Sequence, residues 1–315
     1  MWIEGGFPVK IAVPDLITNS YFPAVAAVEL GFCDAAGLDL GLEHIFPVSR
    51  AMQALRDGQL DFVAGAAHAT LTAFPAWQGA RLLAALSQGM YWLLVLRSDL
   101  GARRGDVNAV KGRRIGAAPG VDVGLRRLLA AAGIDLERDQ VRIAPVPGTD
   151  QPGVSFGVTA ARALAEGTID GFWANAMGAE TAVRRGIGTV VLDVRRGDGP
   201  PAARFYTFPA LVTSDRTIAH APDAVAAAVG AMVQTQRALV AHPERAAEVG
   251  KRLFPPAEAG MIAEVVARDL PFYDPTISAE TVSHMQQFAQ DIGLLTAPVP
   301  YDQVVSTRFR HLWTA

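Results

Sequence analysis

At 315 residues the chain has room for about two domains, and with half its residues hydrophobic and 19% charged it can bury sizeable cores, which excludes a disordered chain. A net charge of -3 leaves no basic footprint for nucleic acid. The single cysteine, Cys33, excludes an intrachain disulfide; this fits a reducing compartment and does not exclude the periplasm.

Met1 to Gly6 carry no basic stretch leading into an apolar core, so the chain reads as natively cytoplasmic or as one whose secretion leader has been removed. A strand over 9–13 then feeds a polar loop, 14–20, and an apolar helix. Asn19 and Ser20 are residue types that cap a helix N-terminus, Pro23 fits the first turn, and Gly31 is a natural stop. Strands are expected at 42–46, 61–65, 81–87 and 91–96, with a helix from Pro47 through Leu55 closed by Gly58 and another following His68. The densest apolar run, 91–96, reads as a buried strand, and no run approaches the length of a membrane span.

Residues 97–111 are charged and aperiodic, as expected of a crossing into a second lobe. Beyond them come a strand at 114–118, a Pro119-Gly120 turn, a helix, and strands at 141–146, 170–175 and 189–194. Helices fall at 158–166 and 177–185, after a Gly/Pro-rich segment, 147–157. Arg195 and Arg196 open a loop that reads as solvated, an anion clamp being the alternative. Residues 205–212 could return as a strand into the first lobe. Helices at 224–241, 243–254, 256–270 and 277–292 would wrap that lobe.

Two signatures recur in the same order. Ala35-Ala36-Gly37-Leu38-Asp39-Leu40 is echoed by Ala131-Ala132-Gly133-Ile134-Asp135-Leu136. Ala54-Leu55-Arg56-Asp57-Gly58-Gln59-Leu60-Asp61 is echoed by Ala163-Leu164-Ala165-Glu166-Gly167-Thr168-Ile169-Asp170. Each closes a helix with glycine and opens an apolar strand, so two similar α/β lobes with mostly parallel sheets are expected. The six histidines show no metal-ligand spacing, Gly186-Ile187-Gly188 precedes a strand where a dinucleotide fingerprint follows one, and neither a phosphate loop nor a Gly-x-Ser-x-Gly elbow occurs. No cofactor or metal is therefore expected.

Asn19-Ser20-Tyr21-Phe22-Pro23, Glu29-Leu30-Gly31-Phe32, Val110-Lys111-Gly112-Arg113-Arg114-Ile115-Gly116 and Gly167-Thr168-Ile169-Asp170-Gly171 resemble the NMT1/SsuA-like family of solute-binding proteins. The resemblance covers nearly the whole chain. It implies a two-lobed α/β chain of the type II periplasmic-binding-protein fold, with residues 1–96 and 206–315 in one lobe and 97–205 in the other. It further implies a hinge near Leu96 and Phe205, an extracytoplasmic location, and a small aromatic, heterocyclic or anionic ligand passed to an ABC permease and its ATPase.

Carried over by position, the ligand contacts would be Asn19, Ser20, Tyr21, His68, Gln88 and Tyr91 from the first lobe. Gly120, Val121, Asp122, Trp173 and Asn175 would come from the second, and Phe205 and Tyr206 from the return. Each has a plainer reading as well: a cap for Asn19 and Ser20, a satisfied structural histidine for His68, packing for Trp173. This chain has Gly120-Val121-Asp122 where the family commonly has Ser or Thr, and Asp122 disfavours an anion there. The alternative is a cytoplasmic enzyme on the same fold, of desulfinase, decarboxylase or thiamine-pyrimidine precursor synthase type. A related sulfinate-cleaving enzyme has its cysteine after the first strand, however, whereas Cys33 follows the first helix. A ligand sensor for a regulatory partner is a third class.

Overall fold

The structure is a computed structural model that describes residues 9–151 and 153–314, so the expectation about an N-terminal leader lies outside the described residues. In chain order the strands are β1 (Val9–Val13), β2 (Leu40–His44), β3 (Phe62–Ala66), β4 (Ala80–Ala85), β5 (Leu93–Arg97), β6 (Arg114–Ala117), β7 (Arg142–Ala144), β8 (Gly171–Ala174), β9 (Gly188–Asp193) and β10 (Pro209–Ser214). They form two five-stranded mixed sheets, β2-β1-β3-β10-β4 and β7-β6-β8-β5-β9. The two orders are the same. In each, the fourth strand runs antiparallel to both neighbours and comes from a chain crossing: β10 in the first sheet, β5 in the second.

This exchange moves the division expected at residue 97. That point falls inside β5, which is hydrogen-bonded into the second sheet; the crossing lies before Leu93 and the return before Pro209. An apolar run signals a buried strand but carries no information about which sheet receives it.

The recurrent signatures have a direct physical basis. Gly58 and Gly167 both adopt positive φ, 77° and 70°, just past the helices Val48–Arg56 and Phe156–Ala165, where a side chain would be strained. Three residues on, Asp61 and Asp170 perform one task twice. The Asp61 carboxylate accepts the Lys10 N–H at 2.9 Å while its own N–H donates to the Lys10 carbonyl at 3.0 Å. Asp170 does the same with Arg114, at 2.9 and 2.8 Å. Each signature thus stops a helix and pins the start of the central strand of its sheet.

The C-terminal helices Pro222–Ala241, Ala246–Leu253, Ile262–Asp269 and Ala279–Asp291 pack mainly against the first lobe. The segment expected as one helix over 256–270 is broken near Gly260 and Met261. Pro222–Ala241, at 20 residues, does have the length and composition of a membrane span, which revises the expectation that no run comes close. It lies against the helix Phe22–Glu29, and 56% of its apolar window is buried in the protein. The helix Phe22–Glu29 itself starts from Tyr21 with no side-chain cap, so Asn19 and Ser20 are not its caps.

Candidate functional site

Because β5 and β10 run opposite to their neighbours, the segments that lead into them meet the carboxyl ends of the parallel strands. The loops at those ends from both lobes converge on one cavity of about 50 Å³. Pro14 and Asp15 follow β1, Ser20 and Tyr21 precede the first helix, and Phe46 and Val48 follow β2. Across from them stand Ala118, Pro119 and Val121 after β6, Phe156 at a helix start, and Trp173, Ala174 and Asn175 at the end of β8. Tyr91 and Trp92, just ahead of β5, close the ring. Open α/β sheets bind ligands at this edge.

The wall is mainly aromatic and internally packed. Tyr21 and Tyr91 share a hydroxyl–hydroxyl hydrogen bond at 2.8 Å with their rings edge to face, 5.8 Å apart. The Tyr91 ring lies 4.8 Å from Trp92, which lies 6.2 Å from Trp173. Burial raises both tyrosine hydroxyls well above their usual range, so they stay neutral.

Polar groups are few. The buried Asp15 carboxylate accepts from the Ile17 N–H at 2.9 Å and, across the lobes, from the Ser155 hydroxyl at 2.9 Å. Burial pushes Asp15 up to about 7, with Ser155, Ile17, Phe156 and Asn175 opposing that rise. Asn175 caps the helix Ala176–Arg184, its Oδ1 accepting from the Met177 and Gly178 N–H groups at 3.0 and 3.3 Å. Two buried groups on the wall, Ser20 Oγ and Trp173 Nε1, have no hydrogen-bond partner.

Of the residues expected at a ligand site, Ser20, Tyr21, Tyr91, Val121, Trp173 and Asn175 line the cavity. The others lie elsewhere. Asn19 sits outside the wall and joins the lobes, donating to the Asp269 carboxylate and accepting from the Ala176 N–H at 3.1 Å. His68 lies behind Trp92, with Nδ1 2.9 Å from Thr207 Oγ1 and Nε2 3.3 Å from the Gly120 carbonyl. A proton on Nε2 satisfies both contacts, and burial lowers His68 to about 4, so the ring is neutral at neutral pH. Gln88 donates to the carbonyls of Asp274 and Thr276. Gly120 gives its N–H to Asp122, whose carboxylate also holds Arg126 at 2.8 Å. Phe205 is partly exposed against His284, and Tyr206 stacks on Phe288.

Arg195 corrects the expectation of a solvated loop. It is 3% exposed, 3.2 Å from the Asp269 carboxylate, donates to Ser87 Oγ at 2.9 Å, and lies over the Tyr91 and Phe272 rings. Arg196 reaches the same carboxylate at 2.9 Å. This buried cluster braces the aromatic wall from behind; it does not line the cavity.

Asp15, Phe46, Trp92 and Phe156 line the cavity but were not among the residues expected there. The usable signal was position: Asp15 and Phe46 each stand two residues beyond a parallel strand, and Trp92 adjoins Tyr91. Among the described residues no group of three or more His, Cys, Asp or Glu is placed to hold a metal ion.

Two mixed sheets of matching order, flanked by helices and with a cavity between their carboxyl edges, define a two-domain α/β protein of the periplasmic-binding-protein type II fold. The chain belongs to the NMT1/THI5-like family, whose sequence model matches residues 18–246. No curated protein matches it. Among solved structures, a protein from Bordetella bronchiseptica RB50 is similar at 20% identity and a TM-score of 0.74, covering 97% of this chain and 96% of its own. The alkanesulfonate-binding protein SsuA from Xanthomonas axonopodis pv. citri, bound to MOPS, is similar at 17% identity and a TM-score of 0.69, with coverage of 94% and 97%. The desulfurization enzyme DSZB shares the fold at 18% identity and a TM-score of 0.65, with coverage of 96% and 97%. Most such neighbours are binding proteins of ABC importers.

Proposed function

We propose that the protein is a solute-binding protein that traps a small organic molecule between its two lobes and delivers it, outside the cytoplasm, to an ABC permease and ATPase. The observation that carries this reading is the cavity walled by strand-end loops of both lobes and by the crossing between them. Polar contacts that join the lobes around it, Asp15–Ser155 and Asn19–Ala176, would form on closure and break on opening. A ligand that touches both walls binds the closed state preferentially and so shifts the population toward it. The aromatic lining favours a flat aromatic or heterocyclic guest.

The enzyme reading has less support. Cys33 is buried, lies away from the cavity, and is pushed up to about 12 by burial and by Asp34, which leaves it unreactive. Ser20 Oγ, the hydroxyl on the wall without a partner, has no base within hydrogen-bond reach.

The test is a thermal-shift screen of aromatic amines, amidines, pyrimidines, carboxylates and sulfonates. A true ligand at about 100 times its Kd stabilises by roughly 2.7 kcal/mol, a clear rise in Tm. The expected result is one responsive chemical class, with the response diminished in Trp173→Phe. Turnover of a responding compound would contradict the reading.

A further inference from the structure

Four helix N-termini and their preceding loops contribute to the cavity wall, besides the start of Phe22–Glu29. In the second lobe such ends would ordinarily offer free N–H groups to an anion. Here each is already occupied by an oxygen of the protein itself. Asp122, in the first turn of Asp122–Ala131, takes the Gly120 N–H at 3.1 Å. Asp15 reaches across from the first lobe to Ser155, the residue that opens the helix Phe156–Ala165. Asn175 holds two N–H groups of Ala176–Arg184, and Asn19 holds a third. In the first lobe, Pro47 and Pro23 each stand where another residue would bring a donor.

The charge balance points the same way. No lysine, arginine or histidine lines the cavity, and its one ionisable carboxyl is Asp15. The nearest cluster of guanidinium groups, Arg195 and Arg196, is committed to Asp269 behind Tyr91. An anion placed here would lose its hydration, find no cation, and face a carboxylate across an apolar gap where charges act strongly. Meanwhile Trp173 Nε1 and Ser20 Oγ, both buried and unpartnered, require a guest that offers an acceptor as well.

We propose that the cavity selects a flat, nitrogen-bearing aromatic molecule that donates N–H to Asp15 and accepts from Trp173 Nε1 or Ser20, an amidine or an amino-substituted heteroaromatic, and that Asp15 excludes anionic solutes. The proposal rests on the solute-binding reading and narrows it. The aromatic rings supply the flat faces, and a positively charged guest gains from lying between them.

Isothermal titration with matched probes of one shape tests it: benzamidine and 2-aminopyridine against benzoate and benzenesulfonate, with nitrate as the smallest anion. The expected result is binding of the first pair at least tenfold tighter than of any anion. Asp15→Asn should lower the preference for benzamidine over benzoate at least tenfold. The wild-type comparison stands by itself if that variant does not fold. Equal or tighter binding of benzoate or benzenesulfonate overturns the charge selectivity while leaving the solute-binding reading in place. No binding by any probe, cationic or anionic, contradicts both.

Discussion

The two halves of the molecule agree where they carry the chain and differ where they meet. Asp61 and Asp170 grip the starts of β1 and β6 in the same way, and the glycines before them end their helices in the same backbone conformation. The strand ends a few residues away have diverged. By the sheet registers, Ile11 opposite Phe62 corresponds to Ile115 opposite Gly171, which puts Trp173 at the position of Ala64 and Pro119 at that of Asp15. One lobe therefore supplies the charge and the other the largest ring. The pairing tolerates such divergence because the frame is held by backbone and carboxylate contacts below the rim.

The sharpest way to break the comparison is at Trp173. It lines the cavity but is fully buried, so Trp173→Ala should cost about 3–5 kcal/mol of stability, read by denaturant unfolding. Trp173→Phe keeps most of the packing and removes the unpartnered N–H; it should unfold near the wild-type midpoint yet bind ligand more weakly. A similar loss of stability in Ala64→Gly would deny that the ring matters.

The shared carboxylates come next. Asp170 also holds the Arg114 guanidinium, which keeps its carboxyl at about 2, while Lys10 in the first lobe turns instead to Glu43. A depressed carboxyl contributes stability above its unfolded value, and that contribution is lost as pH falls through the folded value. Asp170→Asn should therefore remove about 2 kcal/mol at pH 7 and leave a smaller loss at pH 2, whereas Asp61→Asn should cost about 1 kcal/mol. Equal costs for the two would show that the halves are anchored alike.

Asp15 carries the opposite sign. Its value of about 7 in the closed arrangement lies above that of an exposed carboxyl, so closure without ligand is favoured at low pH and loses that advantage as pH rises from about 4 through 7. Scattering from the unliganded protein should show a more compact particle at pH 5 than at pH 8; no change would place Asp15 outside the closing contact. Asn175→Ala, which strips the cap from Ala176–Arg184, should cost about 1 kcal/mol by thermal unfolding. The smallest effect belongs to the exposed ion pairs Arg184–Glu264 and Arg268–Glu180, which tie the second lobe to the C-terminal helix Ile262–Asp269. Removing either should change stability by less than about 1 kcal/mol and less still at high salt.

The repeat was legible because its signals are local. A glycine past a helix and an aspartate before a strand act on backbone groups a few residues away, whatever the rest of the fold does. Half of the cavity wall was legible for the same reason: Ser20, Tyr21, Trp173 and Asn175 flank parallel strands or the helices that follow them. The remainder depends on distant partners. Arg195 looks solvated until Asp269 arrives from the C-terminal helices, and Gln88 is claimed by Asp274 and Thr276. Asp15 beside Pro14 reads as a turn residue, and only the facing Ser155 makes it a contact between lobes. The placement of β5 was hidden by its composition, which suits either sheet.

The most direct test of the central claim is a spin-label distance measurement across the cleft, with labels at Gln59→Cys and Asp150→Cys, exposed positions on opposite sides of the groove at its mouth. Cys33 is buried and stays unlabelled. Saturation with a responding ligand should collapse a broad distance distribution to a single short one. An identical distribution with and without that ligand would contradict the account.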